Sequence, residues 1–133
     1  MGASILSTLT EIRTEIAELL TEAGIKAREY VPDNANPPLA LVVPADPWIT
    51  TSEANTRLQF PFKVTTLVVL IGGKASNKAA QTNIDSMVQT ALVALDDWEV
   101  TQVTAPMELS IKGIQFSGVV MTLETDTNMK EVI

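Results

Sequence analysis

The sequence predicts one α+β domain, a mainly antiparallel sheet with two helices packed on one of its faces. Three observations carry this expectation. Two segments repeat apolar residues at steps of three and four, the helical period. Several others alternate or run apolar between turns marked by Pro, Gly and Asp, as strands do. Their order is α-β-β-loop-β-α-β-(β)-β, and helices that do not alternate strictly with strands gather on one side of an antiparallel sheet. The chain has 133 residues, which fits a single domain over 1–125 followed by a polar tail over 126–133.

The first helix runs from Ile5 to Ala23, with Ile5, Leu9, Ile12, Ile16, Leu19 and Ala23 along one face. Ser4 suits its N-cap, Gly24 suits the left-handed position past its end, and Ile25 packs back on the last turn. A short strand follows over Lys26–Val31. Pro32, Pro37, Pro38, Pro44 and Pro47 then punctuate the chain, and Leu39–Val43 between them reads as a strand. Asp46–Thr56 is polar and aperiodic and reads as a loop.

Arg57–Ile71 is the longest strand pattern. Leu58, Phe60, Phe62 and Val64 alternate with Arg57, Gln59, Pro61 and Lys63, whereas Leu67–Ile71 is apolar throughout and should be covered on both faces. Pro61 has no N–H to give a ladder, so the first half of this strand is expected at a sheet edge. Gly72-Gly73 ends the strand. Ser76 or Asn77 caps a second helix that reaches Leu95, with Ala80, Ile84, Met87, Val88, Ala91, Leu92 and Leu95 inward and Asp96-Asp97 as its stop. Glu99–Thr104 reads as a strand with Val100 and Val103 buried. Leu109–Lys112 and Gln115–Thr125 pair as a hairpin through Gly113.

Composition excludes much. Hydrophobic residues make up 46% and aromatics 5%, so the core is built from Leu, Ile, Val and Ala. The chain has no Cys and no His, which removes disulfides, thiolate nucleophiles, imidazole bases and the usual zinc ligands. Sixteen acidic against nine basic residues leave a net charge of −7, a poor match to the outside of a nucleic acid, although an acidic wall suits a conduit that phosphates pass without adhering. Glu11, Glu15 and Glu18 stand where an export signal needs positive charge, and the apolar runs Leu39–Val43 and Leu67–Ile71 are too short for a bilayer, so no membrane role is expected.

No catalytic or metal constellation emerges, and no cofactor is expected. Gly72-Gly73-Lys74-Ala75-Ser76 lies between a strand and a helix, but a phosphate loop needs Gly where Val68 stands and Ser or Thr where Ala75 stands. A turn explains these residues. Asp96, Asp97 and Glu99 do not follow the calcium-loop spacing and read as a solvated turn.

The residues that stand out are interface candidates. Glu11, Glu15, Glu18 and Glu22 form an acidic ridge on the first helix, either a solvated face or a surface that repels or meets charge on a neighbour. Trp48 and Ile49 sit in the polar stretch after Pro44. Trp48 either folds back onto its own sheet or serves as a binding anchor. Pro61 marks the edge-like half-strand.

Four features in order resemble the tail terminator, or tail completion, proteins of long non-contractile-tailed bacteriophages, especially those of actinobacterial hosts. They are the amphipathic opening helix; the segment from Val31-Pro32 through Pro37-Pro38-Leu39-Ala40-Leu41-Val42-Val43-Pro44 to Trp48; the strand-to-helix unit Val64–Leu95 with Asn77 and Asp85; and Val100-Thr101-Gln102-Val103-Thr104-Ala105-Pro106 followed by Gly113–Thr125. Phe116 stands where a tyrosine is expected near the final strand. The resemblance implies a small α+β subunit that closes into a ring, usually of six. Such a ring caps the head-proximal end of the tail tube, stops its growth and offers a joining surface to the head connector or stopper protein. DNA passes through its lumen without specific binding. It also implies a place in the virion, with host cytoplasm as the site of assembly. The rival expectations are another neck protein, such as a head-completion or stopper subunit, and a small α+β enzyme or ligand-binding domain.

Overall fold

The computed structural model describes residues 9–51, 62–75 and 78–127. Their order is α1 (Leu9–Glu22), β1 (Ala27–Arg28), β2 (Leu39–Thr51), β3 (Phe62–Lys74), α2 (Ala79–Ala94), β4 (Glu99–Val103), β5 (Met107–Ile111) and β6 (Ile114–Thr127). The six strands form one sheet in the order β1-β2-β3-β6-β4, with β5 also paired to β6. Only β1 and β2 pair in parallel; the other pairs are antiparallel. The expected α+β class, with two helices over a mostly antiparallel sheet, is what the chain adopts.

Both helices lie on the same face, α1 against β1 and β2, α2 against β3 and β6. The main core joins Ile12, Ile16, Ala17 and Leu20 of α1 and Ile84, Met87, Ala91 and Leu95 at α2 to alternate residues of three long strands. These include Ala40 and Val42, then Val64, Val68 and Leu70, then Val119, Met121 and Leu123. The period-2 alternation of strands puts every second side chain there. The expected helix stripes are slightly rotated. Ala17 and Leu20 are buried where Ala23 is exposed and Leu19 half-buried, and Leu92 is 41% exposed.

Helix α1 ends as its Gly predicts. Gly24 has φ +98, the Ile25 N–H donates to Leu20 O at 2.9 Å and the Gly24 N–H to Thr21 O at 3.0 Å. This is a Schellman cap that buries Ile25 against the helix end. Ser4 and Ile5, and the candidate caps Ser76 and Asn77, lie outside the described residues. Lys78 occupies the N-cap of α2 in the αR region, with no side-chain cap bond.

Three strand expectations are corrected. Gly72-Gly73 does not end β3, which continues to Lys74 through a register shift between Ile71 and Gly73. A Cβ at Gly72 would stand 2.5 Å from Ala80 O and 2.6 Å from Ile84 Cγ1, so glycine here lets α2 rest directly on the strand. The Asn83 side-chain amide then donates to Gly72 O at 2.9 Å. Second, Asp46–Thr51 is strand, not loop: β2 runs on to Thr51 and pairs with β3 to Phe62. Third, β3 is flanked by β2 and β6 from Phe62 onward, so this part lies in the middle of the sheet and not at an edge. Arg57–Pro61 and 52–56 lie outside the described residues, as does the tail beyond Thr127.

The outer strand beside β6 is built in two pieces. β4 pairs with Met121–Glu124 and β5 with 114–118. Between them Thr104 holds the ladder: its N–H donates to Val120 O at 3.0 Å and its Oγ1 accepts from the Val120 N–H at 3.0 Å. Ala105-Pro106 then resets the register. The β5–β6 hairpin turns through Lys112 (φ +53) and Gly113 (φ +84), the two positive-φ positions of a type I′ turn.

Candidate functional site

The sheet face opposite the helices is only partly covered. Leu39, Leu41, Ile71 and Phe116 are buried there in a second, smaller cluster with Ala35, Val43, Val69 and Ile111 packed against it. The 32–38 segment therefore reaches this side, and Lys112 Nζ bridges to Asp33 at 3.6 Å. Leu67–Ile71 was expected to be covered on both faces. Ile71 is, whereas Leu67 and Val69 stay half-buried, as do Val43 and Val120 on the neighbouring strands. An apolar band thus crosses the centre of the helix-free face.

Toward the Phe62 end the same face turns polar. Lys63 Nζ lies 3.3 Å from Glu124 Oε1. The hydrogen bond to Glu124, and then the charge of that carboxylate, raise the Lys63 pKa above its ordinary 10.5. Glu99 pairs directly with Glu124 across the β4–β6 ladder.

Trp48 and Ile49 lie within β2, half-buried, and both pack against the main core. Four residues of β2, 45–48, span what Thr65 alone spans on β3, because Pro44 pairs with Thr66 and Ile49 with Val64. This bulge contains the cis Asp46–Pro47 bond. It brings Trp48 beneath α1, where the Arg13 guanidinium sits 5.7 Å from the indole centroid. Trp48 is thus anchored on its own domain.

Glu11, Glu18 and Glu22 are exposed and Glu15 is half-buried on α1, beside the buried Ile12–Ile16–Leu20 stripe. Pro61 lies outside the described residues.

Sequence reading missed the strongest surface features. Among the described residues the exposed large apolar side chains are Tyr30 (60%), Val31, Leu92, Val93 (75%), Met107 and Ile114. Tyr30 and Val31 follow β1 at one edge of the sheet, and Met107 lies on β5 at the other. Only the pairing order reveals that these segments are edges. Trp98 was also passed over. It is buried, and its Nε1, like Thr125 Oγ1, has no hydrogen-bond partner among the described residues.

A cleft of about 520 Å³ opens between the end of α1 and α2, lined by Ala23–Lys26, Pro38, Asn83, Ser86, Met87 and Thr90. Among the described residues Lys26 is the only charged group in its lining. Among the described residues no group of three or more His, Cys, Asp or Glu could hold a metal ion, and no helix is long and apolar enough to cross a membrane. No protein-family model matches the chain, and no curated protein matches it.

Proposed function

We propose that the chain is a structural, non-catalytic subunit of a phage tail. In this reading it closes into a ring on the head-proximal end of the tail tube, ends tube growth and presents its far side to the head connector or stopper protein. The observation that supports assembly is the sheet's second face. Val43, Leu67, Val69 and Val120 form an apolar band that the described segments leave half-covered. Such a band is characteristic of surfaces that meet other proteins. The four-part sequence resemblance supplies the specific role and the expectation of six subunits, with the virion as the place of action.

The same reading gives the acidic ridge a use. Glu11, Glu15, Glu18 and Glu22 on one helix surface would repel DNA phosphates if α1 faced the lumen, keeping the passage free of adhesion. A ring must also match the tube on one side only, since a repeated match would let stacking continue.

Electron microscopy of the purified protein mixed with tail tubes tests the proposal. Rings at one end of each tube, and tubes that no longer lengthen, are expected. A protein that never decorates a tube end overturns it.

A further inference from the structure

The two outer edges of the sheet carry opposite charge, and each exposes apolar side chains. At the β1 edge, Lys26 and Arg28 flank the buried Ala27. Arg28 pairs with Leu41, which belongs to the helix-free cluster, so Arg28 lies on that side, whereas Lys26 precedes the strand and lines the cleft between α1 and α2. Both are exposed, with Arg28 Nη1 donating to Ala27 O at 2.9 Å. The neighbouring acid, Glu29, is turned to α1, where it accepts the Thr14 hydroxyl at 3.2 Å. Tyr30 and Val31 follow, 60% and 47% exposed.

At the opposite edge, Asp96 and Asp97 lead into β4 and are exposed, as are Glu99 on β4 and Glu108 on β5. Glu99 faces Glu124 across the ladder on the helix-free side, and Met107 is 40% exposed. Among the described residues each edge strand pairs with the sheet on one side only: β1 with β2, and β4 and β5 with β6. Charged side chains on an edge disfavour its pairing with a like edge, so each rim resists a second copy of itself.

We infer that a second copy of this chain docks head-to-tail through these edges, the Lys26–Val31 edge of one subunit meeting the Asp97–Met107 edge of the next. The contact is heterologous because the two patches are different surfaces with opposite charge. Each subunit keeps one free edge of each kind until the series closes, so the association runs to a ring or a filament and not to a two-fold dimer. The inference deepens the assembly proposed above and rests on it only for the number of copies; the edge contact stands on charge and exposure.

The chain lacks cysteine, so single introduced cysteines report the contact without interference. Val31→Cys and Thr101→Cys stand at exposed positions on the two edges. Each is treated with a short thiol cross-linker alone and then as an equal mixture, with circular dichroism confirming the fold. Cross-linked dimers in the mixture, and none with either variant alone, are expected. Lys26→Glu with Arg28→Glu in the Val31→Cys chain should cut the yield by more than about tenfold, since like charges then oppose at the contact.

Cross-linking of one variant with itself, or none in the mixture at any concentration, overturns the inference. Its failure is separable from failure of the tail reading. Mixed cross-links from a protein that never caps tubes leave the edge contact standing and remove the tail role. Tube-capping rings that form equally well with Lys26→Glu and Arg28→Glu remove the edge contact and leave the role.

Discussion

Gly72→Ala tests how closely α2 sits on the sheet. The new methyl would lie 2.5 Å from Ala80 O, 2.6 Å from Ile84 Cγ1 and 3.2 Å from Ile84 N. Two of these three atoms are helix backbone, so rotation of one side chain does not relieve the clash. Restoring ordinary contact requires α2 to retreat by about 0.9 Å, which thins the contacts of Ala80, Ile84 and Met87 with β3. It also stretches the Asn83 bond to Gly72 O, now 2.9 Å. Overpacking of this kind costs about 1–3 kcal/mol, and the backbone contacts place the expected loss at the upper end. Equilibrium denaturation should show a midpoint shift, with a fall in melting temperature on the order of 10 °C. Gly113→Ala is the contrast. It has no atom within 4 Å of its Cβ but a φ of +84, so its loss of about 1–2 kcal/mol comes from backbone conformation alone. Ile84→Ala is destabilising on its own, but because it removes the Cγ1 contact it should combine less than additively with Gly72→Ala and additively with Gly113→Ala. A Gly72→Ala protein within about 0.5 kcal/mol of wild type would refute the close approach.

Four further outcomes follow from the same geometry. Trp48→Ala should cost about 2–4 kcal/mol, less than full truncation of a buried aromatic because the side chain is half-exposed; an unchanged denaturation curve would mean that it does not pack beneath Arg13. Thr125→Val should be neutral or stabilising by about 1 kcal/mol, since the buried Oγ1 has no partner among the described residues, and a clear loss of stability would show that a partner exists. Because the Lys63 pKa is raised in the fold, its contribution is fully present below pH 10.5 and is lost as pH rises through the higher folded value; Lys63→Met should flatten stability against pH in that window only, which denaturation across the alkaline range checks. Changing Glu11, Glu15, Glu18 and Glu22 to Gln moves the net charge from −7 to −3 and should leave the isolated fold within about 1 kcal/mol of wild type while altering assembly or DNA ejection under the proposed tail role; under that proposal, unchanged virion yield and ejection would make the ridge a solvated face.

Periodicity carried the class of the fold because burial on one side of a helix or strand writes itself into the residue spacing. The α1 stripe, the α2 stripe and the hairpin at Gly113 were legible for that reason. What spacing does not carry is how far a strand continues once its neighbours stop being apolar. Asp46–Thr51 looks like loop, yet β3 lies alongside and a bulge absorbs the three extra residues that would otherwise throw Ile49 out of register with Val64. Gly72 misled in the same way. A strand-ending glycine and one that admits a helix onto the sheet are the same letter, and the distinction lies in Ala80 and Ile84, eight and twelve residues away.

The surfaces were harder to read than the core, and the reason is topological. Trp48 stood out in a polar stretch, but the Arg13 guanidinium over its ring comes from α1, which no local pattern connects to it. Lys26 and Arg28 drew no attention because two basic residues in a short strand are ordinary. They acquire meaning only when β1 proves to be one outer strand and the acidic β4 the other. Strand order is set by long-range pairings such as Val68 with Met121, and it decides which charges lie at opposite rims and which lie side by side. A chain with net charge −7 would repel its copies if that charge were spread evenly. Placing Lys26 and Arg28 at one rim and Asp97, Glu99 and Glu108 at the other makes one relative orientation attractive while like rims still repel. Salt should therefore weaken head-to-tail association, whereas contacts made only by the apolar band of Leu67, Val69 and Val120 should hold or strengthen.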